Sequence, residues 1–402
     1  MKKVLTVLLS AILLLSLAGL SSATNGDNLM AIGPIARAMG GVGIAVPQDA
    51  ISAVFSNPAG MCFGPYCPGS EFNFAGTVFM PKARTSVSST GSGWEDSDSD
   101  LFVIPAIGIS SPITQNLRFG LAAYGVSGLG VDYRDKFDLS PNPGTQDVYT
   151  NLQIMKFAPN LAYMVTPNFS IGGAVHVNYG SLDLGDGTSS GFSFGAQLGA
   201  IYKAGPVSIG AVYVTPQKIT HENVFDFDHN GNRDDLDLES PQSFGVGVAY
   251  ESPKRDFLIE ADVKWVNWAN ADGYSDFGWE DQWVFGIGAQ YRPTPKLALR
   301  LGYNYGKNPV EENNGWDGMS TTKLQGKTVN RFEYEVFRIT GFPAFVESHI
   351  TAGIGYNITK SVSLDLGYTH AFSNSVKESG SFGTIESSLY EDSIDFGITW
   401  RF

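Results

Sequence analysis

Two cysteines, one aspartate-rich loop and a few basic residues are the groups in this 402-residue chain that could do chemistry. The run from Asp226 through Asp228, Asn230, Asn232 and Asp234 to Asp237 has Gly231 inside it. Counted from Asp226, oxygen ligands fall at about positions 1, 3, 5, 9 and 12, with a main-chain carbonyl at 7 and glycine at 6, the spacing of a calcium loop. The last position is aspartate rather than glutamate and no helices flank it. The expectation is therefore a bare calcium-binding loop, with a solvated acidic loop as the alternative. Cys62 and Cys67 are too few for a metal site, which needs two further ligands, and are expected to form a disulfide in an oxidising compartment. No Gly-x-Ser-x-Gly or comparable nucleophile motif is present, so no catalysis is expected and no cofactor is required.

The elements that must position these residues start with an export signal. Lys2 and Lys3 precede an apolar run from Val4 to Leu20, and Ser21-Ser22-Ala23 supplies a small-residue cleavage site. Residues 1–23 are expected to be a signal peptide, and no other stretch reaches the length of a membrane helix. The mature chain is rich in glycine and aromatics, 47 Gly, 17 Tyr and 26 Phe, and poor in charge at 16%. A net charge of −14 excludes nucleic acid as a partner, because phosphate would be repelled.

From Ser70 the chain alternates apolar with small or polar residues over about ten positions at a time, the span of a tilted transmembrane strand. Leu117, Phe119, Leu121 and Ala123 share one face of such a run. Phe169, Ile171, Val175, Val177 and Tyr179 share another, and further runs lie at 72–80, 192–202, 207–213, 257–265, 283–291, 297–305, 350–356 and 362–368. The chain ends Ile394, Phe396, Ile398, Trp400, Phe402, an aromatic-terminated strand of the kind read by the barrel assembly machinery. Short turns such as Thr166-Pro167-Asn168 alternate with long polar loops at 82–100, 132–147, 217–239, 307–344 and 374–388. That sorting predicts an all-β fold, a transmembrane antiparallel β-barrel of about fourteen strands over residues 70–402. A soluble β-sandwich is the alternative, but it needs no such sorting of connections.

Residues 24–69 do not alternate. Asp49 is placed to cap a helix from Ala50 to Ser56 with Ile51, Val54 and Phe55 on its apolar face. The helix must stop before Asn57-Pro58. This segment is too small to fold alone but large enough to fill a barrel lumen as an N-terminal hatch.

Ala36-Arg37-Ala38-Met39-Gly40-Gly41, Asp49-Ala50 and Asn57-Pro58-Ala59-Gly60 together resemble the hatch signature of the FadL/TodX family. Pro159-Asn160-Leu161-Ala162-Tyr163, Gly288-Ala289-Gln290-Tyr291 and Leu299-Arg300-Leu301-Gly302-Tyr303 resemble its strand motifs. The resemblance implies a monomeric barrel in the bacterial outer membrane that passes long-chain fatty acids or similar lipophiles by passive diffusion. It also implies a lateral opening into membrane lipid at a kinked third strand, here Gly125, Ser127, Gly128 and Gly130, where glycines weaken a ladder. The short loop 181–191 departs from the family's long capture loop. A fatty-acid carboxylate held in an apolar site needs a cation, and Lys156 and Arg300 are the inward-facing candidates. Arg118 and Lys264 face inward too, and Glu260 and Asp262 could instead pair with any of these cations. The rival function is a porin for polar solutes, with an open, conducting lumen.

Overall fold

The computed structural model describes residues 24–62, 69–137 and 148–402. Fourteen strands form the wall: β1 Glu71–Val87, β2 Phe102–Pro112, β3 Leu117–Asp132, β4 Tyr149–Thr166, β5 Phe169–Asp183, β6 Thr188–Ala204 and β7 Val207–Val214. They continue as β8 Ser243–Glu251, β9 Phe257–Val266, β10 Gln282–Thr294, β11 Leu297–Gly306, β12 Ser348–Asn357, β13 Val362–Gly380 and β14 Gly383–Arg401. Each pairs antiparallel with the next, and β14 returns to pair with β1 from Ile385↔Val87 to Arg401↔Glu71. Closure pairs the first strand with the last, so the sheet has no terminal edge in lipid, where unpaired backbone groups would be very costly.

Period-two alternation sorts the side chains. Leu121, Leu161, Val175, Leu198, Val248, Leu301 and Ile354 are exposed on the outside, an apolar face that water would not tolerate. Tyr163, Tyr202, Tyr250, Tyr291 and Trp400 are exposed near the short turns, and Tyr179, Phe192, Phe244, Trp283 and Tyr303 near the long loops. An apolar band between two aromatic girdles is the exterior of an outer-membrane barrel.

The long connections are more ordered than polar loops need be. β1, β13 and β14 run on beyond the band, so the stretch expected as a loop at 374–388 is largely strand, and that at 82–100 is strand as far as Val87 and again at Glu95–Asp96. Gln217–Phe225 and Asp234–Ser240 form a hairpin, and a helix, Arg331–Val336, follows a second small hairpin in the 307–347 connection. These pieces share a core in which Phe277 stacks on Phe342 with ring centroids 5.0 Å apart. Arg338 is buried there against Glu335, at 3.0 Å, and Glu378 of β13. A Cβ on Gly341 would lie 3.3 Å from Thr150 of β4, across the mouth from β13. The connections therefore form a cap that spans the long-loop end.

Inside the wall, residues 24–61 are almost entirely buried. A four-residue helix, Pro34–Arg37, and the helix Ala50–Ser56 stand at its two ends. The second helix has the expected start: Asp49 accepts from Ser52 N at 2.7 Å, and Ser52 Oγ accepts from Asp49 N at 3.1 Å. Cys67 and the Cys62 side chain, and with them the expected disulfide, lie outside the described residues, as does the expected signal peptide.

Candidate functional site

The inner segment has no sheet of its own to satisfy its backbone, and the wall's polar side chains do it instead. Asp262 Oδ2 accepts from Gly43 N and Ile44 N at 2.9 and 3.0 Å, and Glu260 Oε1 from Ala45 N and Val46 N at 2.7 and 3.1 Å. Arg37, fully buried, pairs with Asp395 of β14 at 2.8 Å. Asn57 Nδ2 donates to Ile44 O at 2.8 Å and reaches the carbonyls of Ala200 and Ala211 on β6 and β7. Pro58 and Ala59 lie so close to β5 that a Cβ on Gly172 would fall 2.4 Å from Ala59 N, and one on Gly199 would fall 2.0 Å from Asn57 Oδ1. Gly60 is packed against Pro47 in the same way. The Asn57-Pro58-Ala59 stretch is thus one of the points where the inner segment touches bare wall backbone, as Met39-Gly40 does at Gly288 and Gly302 and Ile44 at Gly210.

The wall is broken in one seam. β2 and β3 pair from Pro112↔Arg118 only as far as Ala106↔Tyr124. Beyond that, β2 continues against β1 and β3 continues against β4, without pairing each other. β3 bulges between Gly125 and Ser127, where its register with β4 shifts. Gly125 and Gly130 turn toward the inner face of β2: a Cβ on either would lie 2.6 Å from Ile104 Cγ2 or Phe102 Cζ respectively. The missing side chains let two strands overlap obliquely without a ladder between them. Gly128, by contrast, has room, with only Leu152 O at 3.1 Å.

The unpaired edge of β3 finds its partners in the first residues of the inner segment. Thr24–Asn25 and Asn28–Leu29 make a two-residue hairpin around Gly26, which has φ 65°. Asn28 pairs with Ser127, Gly128 N donates to Asp27 O at 3.3 Å, and Ser127 Oγ donates to Asp27 Oδ2 at 2.6 Å. The same carboxyl accepts from the Tyr274 hydroxyl of the cap, and Trp268 and Trp279 close over Gly26. Burial pushes the Asp27 carboxyl up to about 6, against the lowering effect of the Ser127 and Tyr274 hydrogen bonds. This tip was not anticipated from sequence; the Gly26-Asp27 turn signal between short segments could have pointed to it.

Behind the tip lies a cavity of about 120 Å³. Leu29, Phe55, Tyr124, Val126 and Val212 give it apolar walls, and Lys156, His176 and Lys264 also line it. His176 is held between Gln217 and Gln197, at 3.2 and 3.3 Å. Lys264 Nζ lies 3.5 Å from Met30 O. Lys156 is 6% exposed and has no hydrogen-bond or ion-pair partner among the described residues.

Residues 13–256 match the family model for outer membrane protein transport protein (OMPP1/FadL/TodX). The chain belongs to this family. The family's fold is repeated in solved structures: the toluene transporter TodX of Pseudomonas putida aligns over 93% of this chain and 99% of its own, with TM-score 0.69 and 19% identity. The toluene transporter TbuX of Ralstonia pickettii covers 93% and 99% with TM-score 0.64 and 18% identity. A Pseudomonas aeruginosa FadL homologue covers 95% and 99% with TM-score 0.65 and 15% identity. No curated protein matches the chain in sequence. Membership makes this an outer-membrane barrel for hydrophobic compounds, a passive channel rather than an enzyme.

Within this FadL/TodX barrel, the remaining sequence candidates are placed apart from the cavity. Arg300 is committed near the short turns, with Nη1 2.7 Å from Asp365 and Nε 2.7 Å from Gln290. Arg118 donates to Gly69 O at 3.1 Å. In the aspartate-rich loop, only Asp226, Asp228 and Asp234 bring carboxylates within 4.8 Å of one another. Asn230 and Asn232 bond to each other, Lys327 is drawn onto Asp234, and Asp237 turns away to Lys218 at 2.8 Å and Thr220 at 2.6 Å. The loop thus brings three acids together, with the Lys327 ammonium on one of them.

Proposed function

We propose that this barrel takes up small hydrophobic molecules, holds them in the cavity behind the N-terminal tip, and releases them sideways through the β2–β3 seam into the membrane. The broken seam carries the reading. A lipophile gains nothing by entering the aqueous compartment when hydrocarbon lies directly outside the wall. Among the described residues, the edge of β3 at the seam is covered from within by a hairpin tip held by a few hydrogen bonds, so its withdrawal costs little compared with opening a paired ladder. The buried inner segment, acting as a hatch, and the cap support a plugged channel over an open porin. The toluene carried by TodX and TbuX is a reasonable first probe.

The test locks the tip. Asn28 and Ser127 are Cα partners, and antiparallel partners lie about 4.5–5.5 Å apart, within reach of a disulfide. N28C with S127C, in a background where Cys62 and Cys67 are serine, should abolish uptake of labelled toluene by cells until a reductant is added. Uptake by the oxidised barrel at the reduced rate would rule out this route.

A further inference from the structure

The cavity is small and is lined by a lysine without a partner among the described residues. A space of about 120 Å³ compares with the roughly 150 Å³ apolar cavity that accepts benzene. It therefore admits one ring, while a long alkyl chain would have to thread out of it. Beside Tyr124, its cross-strand partner on β3, stands Lys156, buried in the wall and without a hydrogen-bond or ion-pair partner among the described residues. A buried ammonium without a counter-charge is expensive unless something supplies the anion. Lys264 adds a second cation on the same wall, and its neighbour Asp262 already spends one oxygen on Gly43 and Ile44. Every other buried arginine described above has its carboxylate or carbonyl in place, so Lys156 is the group left for a ligand.

Resting only on the cavity as the holding site of the reading above, and not on sideways release into hydrocarbon, we propose that the site selects compact amphipathic anions, single-ring carboxylic acids, over neutral hydrocarbons and long-chain acids. The ring lies against Phe55, Tyr124 and Val212, and the carboxylate accepts from Lys156. Approach is uphill: the connection at 215–242 carries seven carboxylates against two cations, and that at 267–281 four against none. Selectivity therefore resides in the cavity rather than at the entrance. Salt should speed anion arrival, since such fields are screened beyond about 10 Å at 0.1 M ionic strength.

The test is equilibrium binding of radiolabelled benzoate, toluene and palmitate by the full-length mature barrel in nanodiscs. The wild type should bind benzoate best. K156M should weaken benzoate by roughly 10- to 100-fold, the worth of a hydrogen bond to a charged group, and leave toluene unchanged. K156R should keep most of the benzoate affinity, and V212F should reduce both ring compounds while the barrel stays heat-modifiable. Equal toluene and benzoate affinity, tighter palmitate binding, or a K156M barrel with wild-type benzoate affinity would each overturn the assignment. Binding is read without transport, so a failed tip lock would leave a positive result standing. If none of the three probes binds, the cavity is not a ligand site and the uptake reading falls with it.

Discussion

The seam that closes the barrel and the seam two along from it behave in opposite ways. β14 and β1 pair without interruption along their whole length, and their inward face anchors the inner segment through Asp395 and Arg37. Two seams along, β2 and β3 part company after Tyr124: there Gly125 and Gly130 face Ile104 and Phe102, and the Asp27–Asn28 tip pairs with β3. The difference shows that ring closure is not the weak point of this fold. The ladder stops where glycines lie, and a separate piece of chain pairs with the edge of β3 left there.

The largest expected effect is at the closure seam. Proline at Ile394 removes a ladder donor in a wall with no spare partners, so I394P should yield no heat-modifiable band at all. R37A should fold but lose about 3–5 kcal/mol, because it strands the Asp395 carboxylate in the interior. A midpoint of heat modification within a degree of wild type would mean that this ion pair anchors nothing. At the open seam, deleting Thr24–Leu29 should leave the barrel folded and make it leak ions in planar bilayers. Unchanged conductance would show that the cap alone seals the lumen.

Smaller and more specific is the pH response of the tip. Burial raises the Asp27 carboxyl from 3.8 to about 6, so the fold favours its neutral form. That stabilisation is fully present below about pH 4 and fades as pH rises through about 6. The tip should therefore be held more tightly at pH 5 than at pH 8, read as slower labelling of N28C by a thiol reagent. D27N should flatten that pH dependence, and a profile as steep as wild type would assign it to another group. The smallest effect is expected from calcium. With three clustered acids and Lys327 already on Asp234, millimolar calcium should raise thermal stability only slightly, and D226A with D228A should remove the gain.

The wall was legible in the sequence because its alternation is local: Phe169 to Tyr179 states its faces residue by residue. Phe102–Pro112 was not among the runs read that way, since Val103-Ile104-Pro105-Ala106-Ile107 is nearly continuous in apolar residues. The helix Ala50–Ser56 was legible from its cap and its proline stop. The function of Asp27 and Tyr274 was not, because their meeting depends on partners 247 residues apart. Arg300 shows the same limit: parity puts it inside, but only the fold reveals that Asp365 is waiting for it.

Gly172 and Gly199 have a consequence for how such channels can be recombined. A barrel wall with side chains at those positions could not seat Asn57-Pro58-Ala59 at all. Hatch and wall are therefore matched like key and ward, and neither is an interchangeable module. A chimera that takes its N-terminal segment from one channel and its strands from another would inherit a working interior only where these bare patches of wall coincide.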